Sequence, residues 1–164
     1  MRHRPLSLVA ALVLGLSLGG CTAAQGRRAI VSLNEVQAAA ADTYDTAKAV
    51  ETDAENRCRA TLAANGAPLP ATPAEIRPKC AAAGVPIPYD PIELQKAAGP
   101  INALYDGIRA ANAQRLKTGT PVPADVLVSI AGLLEEVVAD LAGAGVAVPD
   151  SLKAMPATLR GGTP

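Results

Sequence analysis

Residues 119–150 read GTPVPADVLVSIAGLLEEVVADLAGAGVAVPD. Between the two Gly/Pro stretches, Leu127, Ile130, Leu134, Val137 and Leu141 recur at intervals of three and four. Residues spaced in this way share one side of an α-helix, because a turn holds 3.6 residues. Ser129, Glu135, Glu136 and Asp140 supply its polar positions. The pattern predicts a helix over 124–142, ended by Gly143 and Gly145. Glu135 and Glu136 interrupt the apolar run after about ten residues, and a bilayer span needs roughly 20. This most apolar helix is expected to be the centre of the core.

The same rule yields two more helices. Asp90-Pro91-Ile92-Glu93 is a start signal. Asp is a good N-cap, Pro suits the first helical position, and an acid complements the positive end of the helix dipole. Leu94, Ala97, Ile101, Leu104, Ile108 and Ala111 continue the stripe, and Lys117 and Gly119 close it. Pro100 predicts a kink or break near 97–99, with the stripe continuing through it, since its ring removes a backbone bond and crowds the preceding turn. Upstream, Ser32-x-x-Glu35 forms a capping box, in which each side chain satisfies a free amide of the other residue. Leu33, Val36, Ala40, Ala47, Val50 and Ala54 form its stripe, and nothing breaks the helix before Asn65-Gly66. The expected fold is all-α: a small antiparallel bundle of three main helices, about 32–65, 91–118 and 124–142, with Pro-rich connectors.

The connectors repeat. Gly66-Ala67-Pro68-Leu69-Pro70, Gly84-Val85-Pro86-Ile87-Pro88 and Gly119-Thr120-Pro121-Val122-Pro123 share one form, and Gly145-Val146-Ala147-Val148-Pro149 is a looser copy. Gly takes the left-handed conformation past a helix end, and Pro then forbids continuation. Thr72, Asp90, Asp125 and Asp150 are the expected caps that restart helices. The apolar residue between the prolines (Leu69, Ile87, Val122, Val148) is placed to tuck into an end of the bundle. Thr72-Pro73-Ala74-Glu75 predicts one short helix before Pro78. Asp150 predicts a short turn through Met155, followed by a flexible tail over 156–164.

Composition narrows the function. The aromatic residues are Tyr44, Tyr89 and Tyr105, with no Phe or Trp. Tyr44 and Tyr105 sit on or beside their stripes as core plugs. Asp106 and Arg109 are spaced as an exposed pair. Glu135, Glu136 and Asp140 read as a solvated face rather than a cation site, and Arg57 and Arg59 as helix-end cations rather than a phosphate site. No Gly-rich phosphate loop or nucleophile motif occurs. The charge is balanced, 15 Lys and Arg against 15 Asp and Glu, so a nucleic-acid partner is not expected.

The N-terminus carries the address. Arg2, His3 and Arg4 precede an apolar run from Leu6 to Leu18, followed by Leu18-Gly19-Gly20-Cys21. A charged start, a short apolar run and small residues before a cut site mark a secretory signal. Leu-Gly-Gly-Cys resembles the lipobox of bacterial lipoproteins. The resemblance implies cleavage before Cys21, acylation of Cys21 with fatty acids such as palmitate, and anchorage on a membrane. It covers the targeting segment alone. The implied organisation is a cleaved signal peptide (1–20), a lipidated tether (21–31), a helical domain (32–155) and the tail (156–164). In a Gram-negative cell, Thr22 rather than Asp after the Cys resembles the sorting pattern for the outer membrane, which implies its periplasmic face.

Two consequences follow from that cut. His3, the only histidine, is lost with the signal, and with it the Ser-His-Asp and Cys-His arrangements and the commonest catalytic zinc ligands. Lipid on Cys21 leaves Cys58 and Cys80, an even number in an oxidising compartment, and a disulfide between them is expected. The expected function is a non-enzymatic binding or scaffold lipoprotein of the cell envelope, without cofactor or metal, meeting an envelope protein or a second copy of itself. A phage- or plasmid-encoded exclusion factor is a narrower form. The alternatives are a lipoprotein holding a small apolar ligand or lipid between its helices, and a hydrolase using carboxylates alone.

Overall fold

The structure, a computed structural model, describes the backbone of residues 8–161 and the side chains of residues 33–161. The signal-peptide and lipidation expectations for residues 1–20 and Cys21 fall outside the described side chains. Among the described residues five helices follow in order: α1 (Leu8–Ala64), α2 (Pro73–Ala82), α3 (Pro91–Thr118), α4 (Ala124–Gly143) and α5 (Asp150–Leu159). The fold is a small all-helical bundle, as the periodicity predicts.

The main core lies between α1, α3, α4 and α5. Leu33, Val36, Leu94, Leu104, Ile108, Ile130, Leu134, Leu141 and Leu152 fill it. α3 and α4 form the most extensive helix pair, and α5 folds back on α4 and reaches α1. α1 and α3 run antiparallel. Asn112, late in α3, donates through Nδ2 to Asn34 Oδ1 on α1 at 3.4 Å, and Gln95 and Pro91 at the start of α3 face Glu51 of α1 across a cleft. A second, smaller core gathers Ala54, Cys58 and Leu62 of α1 with Ile76 and Cys80 of α2 and Ile87 of the following connector. Cys58 and Cys80 meet there at disulfide distance, with Cα atoms 5.4 Å apart.

The connector rule holds in detail. Gly66, Gly84, Gly119 and Gly145 all have positive φ, between 66° and 87°. At three of them the chain closes a Schellman motif. The amides of Ala67, Val85 and Val146 donate to Leu62 O, Cys80 O and Leu141 O, each at 2.9 Å, which satisfies carbonyls that the helix end leaves free. Ile87, Val122 and Val148 are buried as expected, whereas Leu69 stays 47% exposed.

The caps are only partly as expected. Asp90 Oδ1 accepts from Ile92 N at 3.0 Å and Glu93 N at 3.3 Å. Thr72 is an N-cap without a side-chain bond, and Glu75 reaches past it to accept from Ala71 N at 3.2 Å. Asp125 and Asp150 lie inside the first turns of α4 and α5, behind Pro123 and Pro149. There they complement the helix dipole instead of capping.

Three boundaries differ from expectation. α1 runs through Ser32, so the capping box at Ser32 and Glu35 sits within a helix with no free terminus to cap, and the backbone expected as a tether is helical. α2 continues past Pro78 to Ala82 because burial of Ile76 and Cys80 on one side outweighs one lost backbone bond. α3 keeps its expected bounds and is not broken at Pro100, and its stripe continues through that residue, with Ala97, Ile101 and Leu104 buried on either side. The tail expected from residue 156 is helical to Leu159, whose side chain is 7% exposed and belongs to the main core.

Opening the Cys58–Cys80 bridge, which closes a sequence separation of 22, should lower stability by about 3 kcal/mol on the chain-entropy argument. Urea unfolding of Cys58→Ser/Cys80→Ser against wild type measures it, and reductant should lower the wild-type midpoint while leaving that of the double variant unchanged.

Candidate functional site: an ion-paired cleft between α1, α2 and α3

A cleft of about 360 Å³ opens where α1 faces the start of α2 and the start of α3. Its polar wall is Lys48, Glu51, Glu55 and Arg59 of α1 with Gln95 of α3; Thr72, Pro73 and Ile76 close the α2 side. Glu51 is the one charged side chain buried among the described residues, at 1% exposure. Its Oε2 accepts from Lys48 Nζ at 2.8 Å. One turn on, Glu55 Oε1 takes Arg59 Nε at 2.8 Å and Nη2 at 2.6 Å. Each carboxylate thus carries a cation from its own helix.

Glu51 was not legible as a core residue. The stripe expected on α1 passes through Val50. Instead Val50 is 41% exposed and Glu51 is buried. The spacing is degenerate here: Ala47, Val50, Ala54 and Ala47, Glu51, Ala54 both alternate three and four. The second choice continues onto Cys58 and Leu62, both buried. The signal available was that onward register, which Val50 breaks and Glu51 keeps.

Behind the cleft, Asp90 ties three elements together. Besides capping α3, its Oδ2 accepts from Arg77 Nη1 of α2 at 3.0 Å, and its amide donates to Ala144 O past the end of α4 at 2.9 Å. Partial burial works against its charge, but the amides of Glu93 and Ile92 and then Arg77 outweigh it and hold the carboxyl below its ordinary range.

The other candidate residues separate. Glu135 leaves the acidic cluster for α5: Arg160 grips it in two parallel bonds, with Nη2–Oε2 at 2.6 Å, and holds its carboxyl below the usual range. Among the described residues no group of three or more His, Cys, Asp or Glu is placed to hold a metal. Arg57 pairs with Asp53 at 3.1 Å and Asp106 with Arg109 at 3.4 Å, all four exposed. Tyr44 and Tyr105 are half-buried against the main core. Burial, then the nearby Asp45 charge, raises the Tyr105 phenol. A shallow apolar groove of about 270 Å³ lies at the tip of the second core, lined by Leu62, Ala67, Pro68, Ala82 and Ala83 with Asn65 and Lys79. Among the described residues, no helix is long and apolar enough to cross a membrane. No family model matches the chain, and no curated protein or solved structure does either.

Replacing a buried, ion-paired carboxylate by an apolar side chain of similar size is often neutral or stabilising, whereas removing only its partner leaves a charge uncompensated. Glu51→Met should therefore leave stability unchanged or raise it by about 1 kcal/mol. Lys48→Ala should cost about 1–3 kcal/mol, the penalty of a buried acceptor left unmade. Paired urea titrations test the asymmetry. A second expectation concerns Asp90. Its folded pKa lies below the unfolded value of about 3.9, so its contribution is complete above that value and is lost as pH falls through the folded value. Asp90→Asn keeps a good N-cap but loses the ion pair. The variant should trail wild type by up to about 1 kcal/mol at neutral pH, and the two should converge as pH falls through the folded value of Asp90 in unfolding measured across pH.

Proposed function

We propose that this chain is a membrane-anchored lipoprotein of the cell envelope whose folded part is a non-enzymatic binding or scaffold module for another envelope component. The observation that carries the reading is Leu18-Gly19-Gly20-Cys21 directly behind the apolar run Leu6–Leu18. Cleavage there removes the only histidine, His3. It also leaves Cys21 for lipid and the remaining cysteines, Cys58 and Cys80, for a staple suited to an oxidising compartment.

The cleft is consistent with this reading. A general acid and a base need separate, differently tuned environments on two sides of a substrate. Glu51 and Glu55 stand one turn apart on one helix, each neutralised by its own cation. That arrangement suits a line of neutralised ion pairs along α1, where it faces α2 and α3. The apolar groove at the α1–α2 tip supports a second reading, a small apolar ligand, at a place other than the alanine-lined interior expected for it.

Cells fed labelled palmitate should incorporate it into the wild-type protein, which should sediment with membranes and be released by detergent. Cys21→Ser should take up no label. An unlabelled wild-type protein that stays in the soluble fraction would overturn the proposal.

A further inference from the structure

We propose that the end of the bundle formed by the last turn of α3 docks directly on an anionic lipid surface, so that the folded part lies against the membrane that holds its anchor. This rests on the lipoprotein reading of Cys21. The argument begins with ion pairing. Among the described residues there are eleven Lys and Arg side chains, at 48, 57, 59, 77, 79, 96, 109, 115, 117, 153 and 160. Nine of them form ion pairs. The two that do not, Arg115 and Lys117, flank Leu116. At 82% exposure Leu116 is the most exposed large apolar side chain described. The negative end of the α3 dipole accounts for two cations there. It does not account for a leucine held in water between them.

The position of this group gives it a partner. Asn112, one turn before Leu116, bonds to Asn34 near the point where α1 enters the bundle. Leu116 therefore lies at the end from which α1 leads back to Cys21. Cys21 is 12 residues before Leu33, about 18 Å along a helix. The exposed Thr118, Gly119, Thr120 and Pro121 project from the same end. Val128, early in α4, adds a further exposed apolar side chain at 49%. The segment between Cys21 and Leu33 contains Arg27 and Arg28 and no acidic residue, so the sequence places more positive charge on the anchor side. Cations around an apolar tip match an interface of anionic headgroups over acyl chains, where each Lys or Arg contributes about 1 kcal/mol and one inserted side chain adds apolar burial. At the far lobe Arg57, Arg59, Arg77 and Lys79 are all neutralised in pairs.

The chain contains no tryptophan, so one introduced Trp reports its own surroundings. Leu116→Trp is compared with Ile92→Trp, at an exposed position 24 residues earlier on α3, about 36 Å away. Both full-length proteins are purified from membranes and reconstituted in phosphatidylcholine vesicles with or without phosphatidylglycerol, the acyl chains brominated as quenchers. On anionic vesicles the indole emission of Leu116→Trp should shift to the blue and be quenched, while that of Ile92→Trp does neither. Adding Arg115→Gln and Lys117→Gln should lower the ratio of docked to undocked protein about 30-fold. Flotation of the vesicles separates the two claims. A protein that fails to float with them overturns both the anchor and the docking. A protein that floats while Leu116→Trp stays unquenched on anionic lipid overturns the docking alone.

Discussion

The constraint on which this structure depends is the thinness of its core. With three tyrosines and no Phe or Trp, the chain lacks the side chains that bury most surface per residue. It compensates by bringing helices close. Ala40, Ala47, Ala97, Ala111 and Ala131 are all buried at the interfaces. A Cβ on Gly107 of α3 would already sit 3.7 Å from Ile130 of α4. Close packing of small residues tolerates little misalignment, because dispersion falls steeply with a gap. Helix ends must then be fixed well. The left-handed glycines, with a proline two residues on at 66, 84 and 119 and four on at 145, do that. Each closes the last carbonyls of one helix and sends the next apolar residue into or against the core.

Burial is divided between two cores that share α1. The main one is large enough to organise four helices. The second comprises six buried residues around Cys58 and Cys80, and it supports a helix of ten residues. Isolated helices of that length are marginal in water, and a core so small rarely stands without a covalent staple. The bridge belongs where the hydrophobic contribution is weakest. Glu51 lies just before this lobe. A carboxylate at a core position between two clusters contributes little net stability once its desolvation is counted.

Most of the fold was legible because its signals are local. Stripe spacing, the Gly-x-Pro-x-Pro connectors and the Asp90 cap act within a few residues of where they are read. The misreadings share one cause, a tertiary contact overriding a local preference. Pro78 would end a helix that had only its own backbone to hold it, yet buried neighbours carry α2 through to Ala82. The segment after Pro156 is tail-like in composition, yet Leu159 finds the main core. The Cys58–Cys80 pair of the second core was readable from cysteine number once Cys21 was expected to carry lipid. The cleft was not, because it joins α1 to residues of α2 and α3 distant in sequence, and the three-and-four spacing between Ala47 and Ala54 admits Val50 as well as Glu51.

The ion pairs follow the same division between local and tertiary. Seven of the nine link residues three or four apart on one helix. Such pairs are worth a few tenths of a kcal/mol each and say little about the fold. The two that cross between elements are Arg77–Asp90 and Arg160–Glu135. Each fastens one of the two ten-residue helices, α2 and α5, to a longer neighbour. Exposed pairs contribute modestly to stability, but a bidentate Arg–carboxylate fixes orientation as well as proximity. The short helices are therefore held by a chemistry different from that of the long ones: α2 by a bridge and an ion pair, α5 by an ion pair and its buried Leu152 and Leu159. Among the described residues, Arg115 and Lys117 at the end of α3 stand apart as the cations that no carboxylate pairs.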